Sequence, residues 1–137
     1  CIFYRNKQNR KQEVLGRKKG GRGMNIRDRI PVCPHGSWED LDFSLVALCD
    51  FLDRFSNLEL EFTSGYRCQA CNKKAGGAAG SAHLRGKAID IVPMSAEQRY
   101  EILGVAFLRG IKRIGIAKDH IHLDVDETLP LGVVWVE

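Results

Sequence analysis

The sequence predicts an α+β domain in which a small, mainly antiparallel sheet packs with helices. Two long segments carry apolar residues at helical spacing, and several short segments alternate apolar and polar residues as half-buried strands do. The gaps between the last strands are short, which suits antiparallel hairpins. A chain of 137 residues, 44% of them hydrophobic, is long enough for one domain with its own core.

The helix predictions depend on apolar spacing and on capping residues. Ser37 is the expected N-cap of a helix over residues 38–55, in which apolar residues recur at every third or fourth position. Further helices are expected near 68–74 and, after the capping-box pair Ser95 and Gln98, at about 96–109.

The strand predictions depend on alternation. Leu58, Leu60 and Phe62 alternate with polar residues, which indicates a half-buried strand over about 58–63. Four more strands are expected at about 87–92, 113–117, 120–125 and 133–136.

The charge is unevenly distributed along the chain. Residues 1–30 hold ten basic and two acidic residues, a net charge of +8, whereas the rest of the chain carries −4. We therefore expect residues 1–29 to form a basic, extended N-terminal arm and residues 30–137 to form the domain. For the arm we favour a solvated terminus, and the alternative is an arm that binds a polyanion such as nucleic acid or an anionic cell envelope.

The composition also argues against some classes of protein. No apolar run approaches the ~20 residues of a membrane helix, so membrane insertion is not expected. No segment has the charged and apolar regions of a secretory signal peptide, which predicts synthesis in the cytoplasm. Nucleic acid is not the expected partner, because the negative net charge of the domain would repel the phosphate backbone beyond the arm.

The five cysteines occur at irregular spacing, and an odd number makes a poor disulfide framework. Cys49 lies in the first helix pattern and is expected to be a small core residue. Cys68 and Cys71 have the spacing of a thiolate pair, and with Cys33 and His35 they would make a second, structural zinc site. We favour the alternative, in which these cysteines are free thiols in a reducing compartment.

Three of the four histidines lie near aspartates in two short segments. In the segment from Asp119 to Asp124, strand alternation puts His120, His122 and Asp124 on one face, with apolar residues on the other. Such a polar face is expected of a strand that forms the base of a metal-binding cleft. It also fits a strand face that is merely exposed.

The other segment, from Ser81 to Asp90, places His83 in a turn and Asp90 inside an apolar strand. An unpaired buried carboxylate is costly, so Asp90 requires a cation or several donors. A metal held by His83, Asp90 and His122 would satisfy it, and such a set leaves a fourth position for water, as in catalytic zinc sites. The alternative is an aspartate that caps a loop beside a surface histidine.

The motifs of these segments, together with one upstream loop, occur in a fixed order. They are Ser64-Gly65-Tyr66-Arg67, Ser81-x-His83-x-x-Gly86-x-Ala88-x-Asp90 and Asp119-x-x-His122-x-Asp124. Over about residues 58–126 this pattern resembles the M15 family of zinc D,D-peptidases. That family includes D-alanyl-D-alanine carboxypeptidases, D-Ala-D-Ala dipeptidases and the L-alanyl-D-glutamate endopeptidases of phage lysins, on a scaffold similar to the hedgehog signalling domain.

The resemblance implies a role for each matched residue. Asp119 is implied to be the catalytic carboxylate, Arg67 to contact the substrate carbonyl or tetrahedral intermediate, and Ser81 to lie near the substrate. These roles fit general chemistry, because a carboxylate can take a proton from water and a guanidinium can stabilise an oxyanion. The implied ligands of one Zn²⁺ ion per chain are His83, Asp90 and His122.

Three alternatives to these roles stay open. In the first, His120 replaces His122 as a ligand, since both share a strand face. Asp124 would replace Asp119 as the base, although it would otherwise orient a ligand histidine. Arg67 would merely pair with an acidic residue on the surface.

The leading hypothesis from the sequence is a zinc metallopeptidase that cuts a peptide bond in bacterial peptidoglycan stem peptides. The resemblance implies either a D,D-carboxypeptidase or an L-Ala-D-Glu endopeptidase, of the phage or prophage lysin type, acting at the cell wall and expected to be a monomer. One rival is a non-catalytic zinc-binding module on the same scaffold. The other is a nucleic-acid-binding protein that uses residues 5–29.

Overall fold

The computed structural model describes residues 25–55 and 60–136. Within these ranges five strands form one mixed, mostly antiparallel sheet that packs with helices, which confirms the predicted α+β class. The strands are β1 (Glu61–Ser64), β2 (Ala88–Val92), β3 (Arg113–Ile116), β4 (Ile121–Asp124) and β5 (Val133–Val136). The helices are α1 (Ile26–Arg29), α2 (Phe43–Phe55), α3 (Gln69–Lys74) and α4 (Ala96–Leu108), with 3₁₀ turns at Trp38–Asp40 and Ala82–Arg85.

The strands lie side by side in the order β1-β2-β4-β3-β5. Neighbouring strands are antiparallel except for β3 and β5, which are parallel. The position of β5 along the chain was predicted, but its parallel pairing with β3 was not. In the centre of the sheet, Asp90 of β2 lies directly opposite His122 of β4.

The two faces of the sheet differ in chemistry. Ile89 and Ile91 of β2, with Ile121 and Leu123 of β4, enter an apolar core that also contains residues of α2 and α4. Because successive side chains of a strand point to opposite faces, the residues between them lie on the other face. Helices α2 and α4 therefore pack on one face of the sheet, and the opposite face carries Asp90, His122 and Asp124.

The prediction of one helix over residues 38–55 is wrong in its first part. Ser37 forms the predicted N-cap, but it closes a capping box with Asp40 around the 3₁₀ turn rather than around an α-helix. Leu41 is then extended, and α2 begins at Phe43 behind Asp42, whose Oδ1 accepts a 2.9 Å hydrogen bond from the Ser44 N–H. The Asp42 N–H donates to Gly86 O at 2.8 Å, and this tertiary contact interrupts the helical hydrogen bonding.

Gly86 is the residue that permits this contact. Its φ of +66° lies in the left-handed region, where a side chain is strained. A Cβ atom at this position would lie 1.6 Å from the backbone oxygen of Asp40. Only glycine therefore lets the turn that carries His83 approach the start of α2.

The start of the folded domain lies earlier than the predicted boundary at residue 30. Residues 26–29 form α1, in which Ile26 is buried in the core. Arg29 donates hydrogen bonds of 2.7 Å to Asp53 Oδ1 and to Leu60 O. Residues 25–29 of the predicted arm thus pack with the domain, whereas its residues 1–24 lie outside the described part of the chain.

None of the helices described is both long enough and apolar enough to cross a membrane. The other predicted elements match closely: α3, α4, β2, β3, β4 and β5 lie within a residue or two of their predicted bounds. The first predicted strand is observed as β1 at Glu61–Ser64, and residues 56–59 lie outside the described part of the chain.

Candidate metal centre

The face of the sheet opposite the apolar core brings together His83, Asp90 and His122. Asp90 and His122 are cross-strand neighbours, and His83 reaches them from the 3₁₀ turn that precedes β2. All three residues are buried, at 2%, 5% and 9% exposure respectively. Their burial has to be balanced by interactions among themselves or with a cation.

One donor atom from each residue points at the same space. His83 Nε2 lies 3.2 Å from Asp90 Oδ1 and 3.2 Å from His122 Nδ1, and His122 Nδ1 lies 3.0 Å from Asp90 Oδ1. Tetrahedral zinc with ligands at about 2.0–2.1 Å separates its donor atoms by about 3.3 Å. The three atoms therefore have the spacing of three corners of a zinc tetrahedron.

The remaining nitrogen of each imidazole is held by a hydrogen-bond acceptor. His83 Nδ1 donates to the backbone oxygen of Gly65 at 2.7 Å, and His122 Nε2 donates to Asp124 Oδ2 at 3.2 Å. These contacts place the proton of each neutral ring on the outer nitrogen, so that the inner nitrogen presents a lone pair. Bonds of this kind are characteristic of histidines that bind metals.

The donor set therefore requires a positive charge at its centre. With both rings neutral, two nitrogen lone pairs and a carboxylate oxygen would face one another at about 3 Å, which is repulsive without a shared proton or cation. Two imidazoles and one carboxylate are a known ligand set of catalytic zinc. The residues present thus fit a zinc ion, which would be held by His83 Nε2, Asp90 Oδ1 and His122 Nδ1.

Without a metal ion, a proton shared among the three donor atoms supplies the positive charge. Burial alone would lower the pKa of His122, but hydrogen bonds and charges from Asp124 and Asp90 outweigh it and raise the pKa to about 9. Burial works to raise the pKa of Asp90, yet the charge of His83 and hydrogen bonds from both histidines hold it well below its usual range. Both shifts favour an imidazolium beside a carboxylate at neutral pH when no metal ion is bound.

Arg67 lies at this centre rather than on an open surface. Its Nη2 donates to Asp90 Oδ2 at 2.6 Å and its Nε donates to Ser64 Oγ at 2.6 Å, and the side chain is 13% exposed. The Arg67 N–H also donates to His83 O at 3.0 Å. The Ser64–Arg67 loop and the turn that carries His83 are therefore fixed to each other at two points, since His83 Nδ1 in turn contacts Gly65.

Asp124 lies behind His122 and is fully buried. Arg113 Nε contacts both of its carboxylate oxygens, at 2.8 and 3.0 Å, and the Asp126 N–H donates to it at 3.1 Å. Burial raises the pKa of Asp124, but hydrogen bonds from His122 and Asp126 and from Arg113 lower it overall. This geometry suits an ionised carboxylate that orients His122, the other role foreseen for Asp124.

Two other residues with predicted roles, Asp119 and Ser81, are not among the three convergent donors. Asp119 Oδ1 is 3.0 Å from His120 Nδ1, and its side chain is 38% exposed. His120 precedes β4 and is not one of the three convergent donors. Ser81 directly precedes the turn that carries His83 and makes no side-chain cap for it.

Three neighbours of the centre were not singled out as site residues from the sequence: Ser64, Arg113 and Trp135. The Trp135 ring lies 5.5 Å from the His122 ring, and Gly115 lies between the two residues in the strand register. Because Gly115 has no side chain, the indole can reach the imidazole. Strand alternation indicates the faces of Arg113 and Trp135, but only the pairing of β3 with both β4 and β5 shows that these faces meet at His122.

The fold and the donor set define an α+β domain with a candidate His₂Asp metal centre. A search of curated proteins returned no match. The sequence model of the peptidase M15 family matches residues 35–124, which include all three donors and most of the described chain. The chain belongs to the peptidase M15 family, and membership of this family implies a metallopeptidase.

Proposed function

We propose that this protein is a zinc metallopeptidase that hydrolyses a peptide bond in peptidoglycan stem peptides. The observation that carries the proposal is the convergence of His83 Nε2, Asp90 Oδ1 and His122 Nδ1 in a chain of this family. Bound there, zinc would supply a Lewis acid that polarises the scissile carbonyl and makes the attacking water more acidic.

Asp119 is the proposed general base. It lies three residues before His122, on the segment that leads into β4, and its carboxylate is partly exposed. In this role it takes a proton from the attacking water and passes it to the leaving amine. His120, 3.0 Å from Asp119 Oδ1, orients the carboxylate.

Arg67 is proposed to act in two ways. It positions Asp90 through the hydrogen bond to Oδ2, and its positive charge stabilises the negative charge that develops on the carbonyl oxygen of the substrate. Ser81 is proposed to contact the substrate, because it begins the turn that carries His83 and its side chain does not cap that turn.

The substrate proposal depends on the family and on the charge of the chain. Peptidases of this family that the sequence motifs resemble act on bacterial cell-wall peptides, and the basic residues 1–30, with a net charge of +8, suit an anionic wall. Residues 1–24 are proposed to be the arm that supplies this long-range attraction, with the catalytic domain following them.

The test is incubation of the zinc-loaded protein with purified peptidoglycan, followed by mass spectrometry of the released fragments. Free D-alanine would identify a D,D-carboxypeptidase, and new L-Ala and D-Glu termini would identify an endopeptidase. The matched controls are the chelator-treated protein and His122→Ala, which should release neither. A zinc-loaded wild type that releases no fragment would contradict the proposal and favour a non-catalytic zinc module.

A further inference from the structure

A second group of metal-ligating side chains lies at the start of α3, away from the three donors described above. It consists of Cys33, His35, Cys68 and Cys71, and one donor atom from each lies within 4.8 Å of the others. His35 Nδ1 is 3.5 Å from Cys68 Sγ and 3.8 Å from Cys71 Sγ. In a tetrahedral zinc site, with Zn–S about 2.3 Å and Zn–N about 2.0 Å, nitrogen and sulfur donors lie about 3.5 Å apart.

Backbone hydrogen bonds are arranged around these sulfur atoms. The Cys68 N–H donates to Cys33 Sγ at 3.2 Å, and the Cys33 N–H donates to Tyr66 O at 3.0 Å. The backbone N–H of Cys71 also forms a hydrogen bond with the Cys68 sulfur. N–H groups aimed at sulfur stabilise the thiolate form, which is the form that binds metals.

The burial of Cys33 and Cys71 is not explained by the apolar core. Cys49 is buried within the core, where burial raises the pKa of its thiol, as expected for a small apolar residue. Cys33 and Cys71 are also buried, yet neither belongs to that core. Instead, Cys33 contacts Cys68, and Cys71 contacts His35.

We propose that Cys33, His35, Cys68 and Cys71 bind a structural zinc ion in the reduced protein. Three thiolates and one imidazole complete a tetrahedron and leave no position for water, which distinguishes this site from the His₂Asp centre. The short spacings Cys33-x-His35 and Cys68-x-x-Cys71 bring two ligands from each of two segments. The ion would join the loop at residues 33–36 to the start of α3.

The redox state of Cys71 determines whether the site can form. Cys33 and Cys68 are free of disulfides, whereas the expectation of a free thiol is wrong for Cys71, which is disulfide-bonded in this structure. Two-electron reduction of that disulfide by an added phosphine yields two thiols, and the Cys71 thiol then loses its proton on binding zinc. The Cys71 sulfur can therefore either belong to a disulfide or bind zinc, but not both.

The site would also support the His₂Asp centre. Cys68 directly follows Arg67, whose guanidinium contacts Asp90. An ion that fixes Cys68 to Cys33 would restrict the Ser64–Arg67 loop at its end. The proposal does not depend on catalysis, because metal binding can be measured without a substrate.

The experiment uses the full chain, reduced with a phosphine and loaded with Co²⁺ as a spectroscopic probe for zinc. Thiolate ligands give cobalt an intense near-ultraviolet charge-transfer absorption, which imidazole and carboxylate ligands do not. We expect this absorption in the wild type and in His122→Ala, and two equivalents of zinc in the reduced wild type. Cys68→Ser and Cys33→Ser should lose the absorption and about one equivalent of zinc.

Cys49→Ala is the matched control, because it removes a buried cysteine outside the group, and it should keep both the absorption and the zinc. If the serine variants do not fold, His35→Ala provides the test, since His35 is exposed and should be replaceable without loss of the core. The proposal is overturned if the reduced wild type binds one zinc and shows no thiolate absorption. It is also overturned if the unreduced protein binds the second ion equally well.

Discussion

Arg67 Nη2 donates a 2.6 Å hydrogen bond to Asp90 Oδ2, while both histidines of the centre contact Asp90 Oδ1. One oxygen of this carboxylate therefore binds a guanidinium, and the other faces two imidazoles. This arrangement makes Arg67 part of the support of the metal centre, in addition to the role toward the substrate that is proposed for it.

Replacement of Arg67 should weaken metal binding. In Arg67→Lys, a single ammonium cannot reproduce the two contacts with Asp90 and Ser64 that the planar guanidinium makes. Loss of such a supporting contact typically costs about 10–100-fold in metal affinity or activity. Competition with a chelator measures the zinc affinity. Arg54→Lys, which changes an exposed helical ion pair with Asp50, is the control and should bind zinc normally.

Replacement of Asp119 should separate chemistry from metal binding. Asp119→Asn keeps the size of the side chain but removes the base, so we expect wild-type zinc content and a loss of turnover of about 10²–10⁴-fold. Asp50→Asn, another partly exposed acid, should retain full turnover. Near-normal hydrolysis by Asp119→Asn would assign the base to Asp124 or His120 instead.

The metal-free protein should lose stability as the pH rises above neutral. The pKa of His122 is about 9 in the folded chain and about 6.5 when unfolded, so the folded state binds a proton more tightly. The resulting stabilisation is complete below pH 6.5 and disappears as the pH passes through 9. It is on the order of a few kcal/mol.

Urea unfolding of chelator-treated protein between pH 6 and pH 10 measures this dependence. The difference between the wild type and His122→Gln isolates the contribution of the one imidazole, because other groups that titrate in this range are common to both. A difference that stays constant with pH would show that His122 is not held as an imidazolium by Asp90 and Asp124. The same proton should be released when zinc binds at neutral pH.

Two truncations should locate the boundary between the arm and the domain. Removal of residues 1–24 should leave the zinc of the His₂Asp centre and the hydrolysis of a small soluble peptide nearly unchanged. Binding to an insoluble anionic wall should weaken, most of all at low ionic strength where charges are least screened.

Removal of residues 1–29 should be more harmful, because it also deletes Ile26 from the core and the Arg29 contacts with Asp53 and Leu60. Loss of one buried aliphatic side chain typically costs about 2–5 kcal/mol of the free energy of unfolding. Equal unfolding midpoints for the two truncations would contradict the packing of α1 described above.

Much of the fold follows from local patterns in the sequence. The alternation in β4 correctly placed Ile121 and Leu123 in the core and His122 with Asp124 on the opposite face. An aspartate within an apolar strand correctly indicated that Asp90 has close polar partners. These features depend on neighbouring residues, and so they can be read from the sequence.

Features that depend on distant contacts could not be predicted in this way. The interruption before α2 arises from the contact between Asp42 and Gly86, and the early start of the domain arises from the packing of Ile26. The carboxylate that Arg67 contacts is Asp90, 23 residues further along the chain. Such contacts require the register and packing of whole elements, which no local pattern specifies.

The central claim is that His83, Asp90 and His122 hold the zinc ion on which hydrolysis depends. Zinc analysis of dialysed protein tests it most directly, with His120→Ala as the control because His120 is adjacent and outside the donor set. We expect His83→Ala, Asp90→Ala and His122→Ala each to contain about one equivalent less zinc than the wild type, and His120→Ala to match the wild type. If all three variants keep the zinc content of the wild type, the ion is bound elsewhere and the claim is wrong.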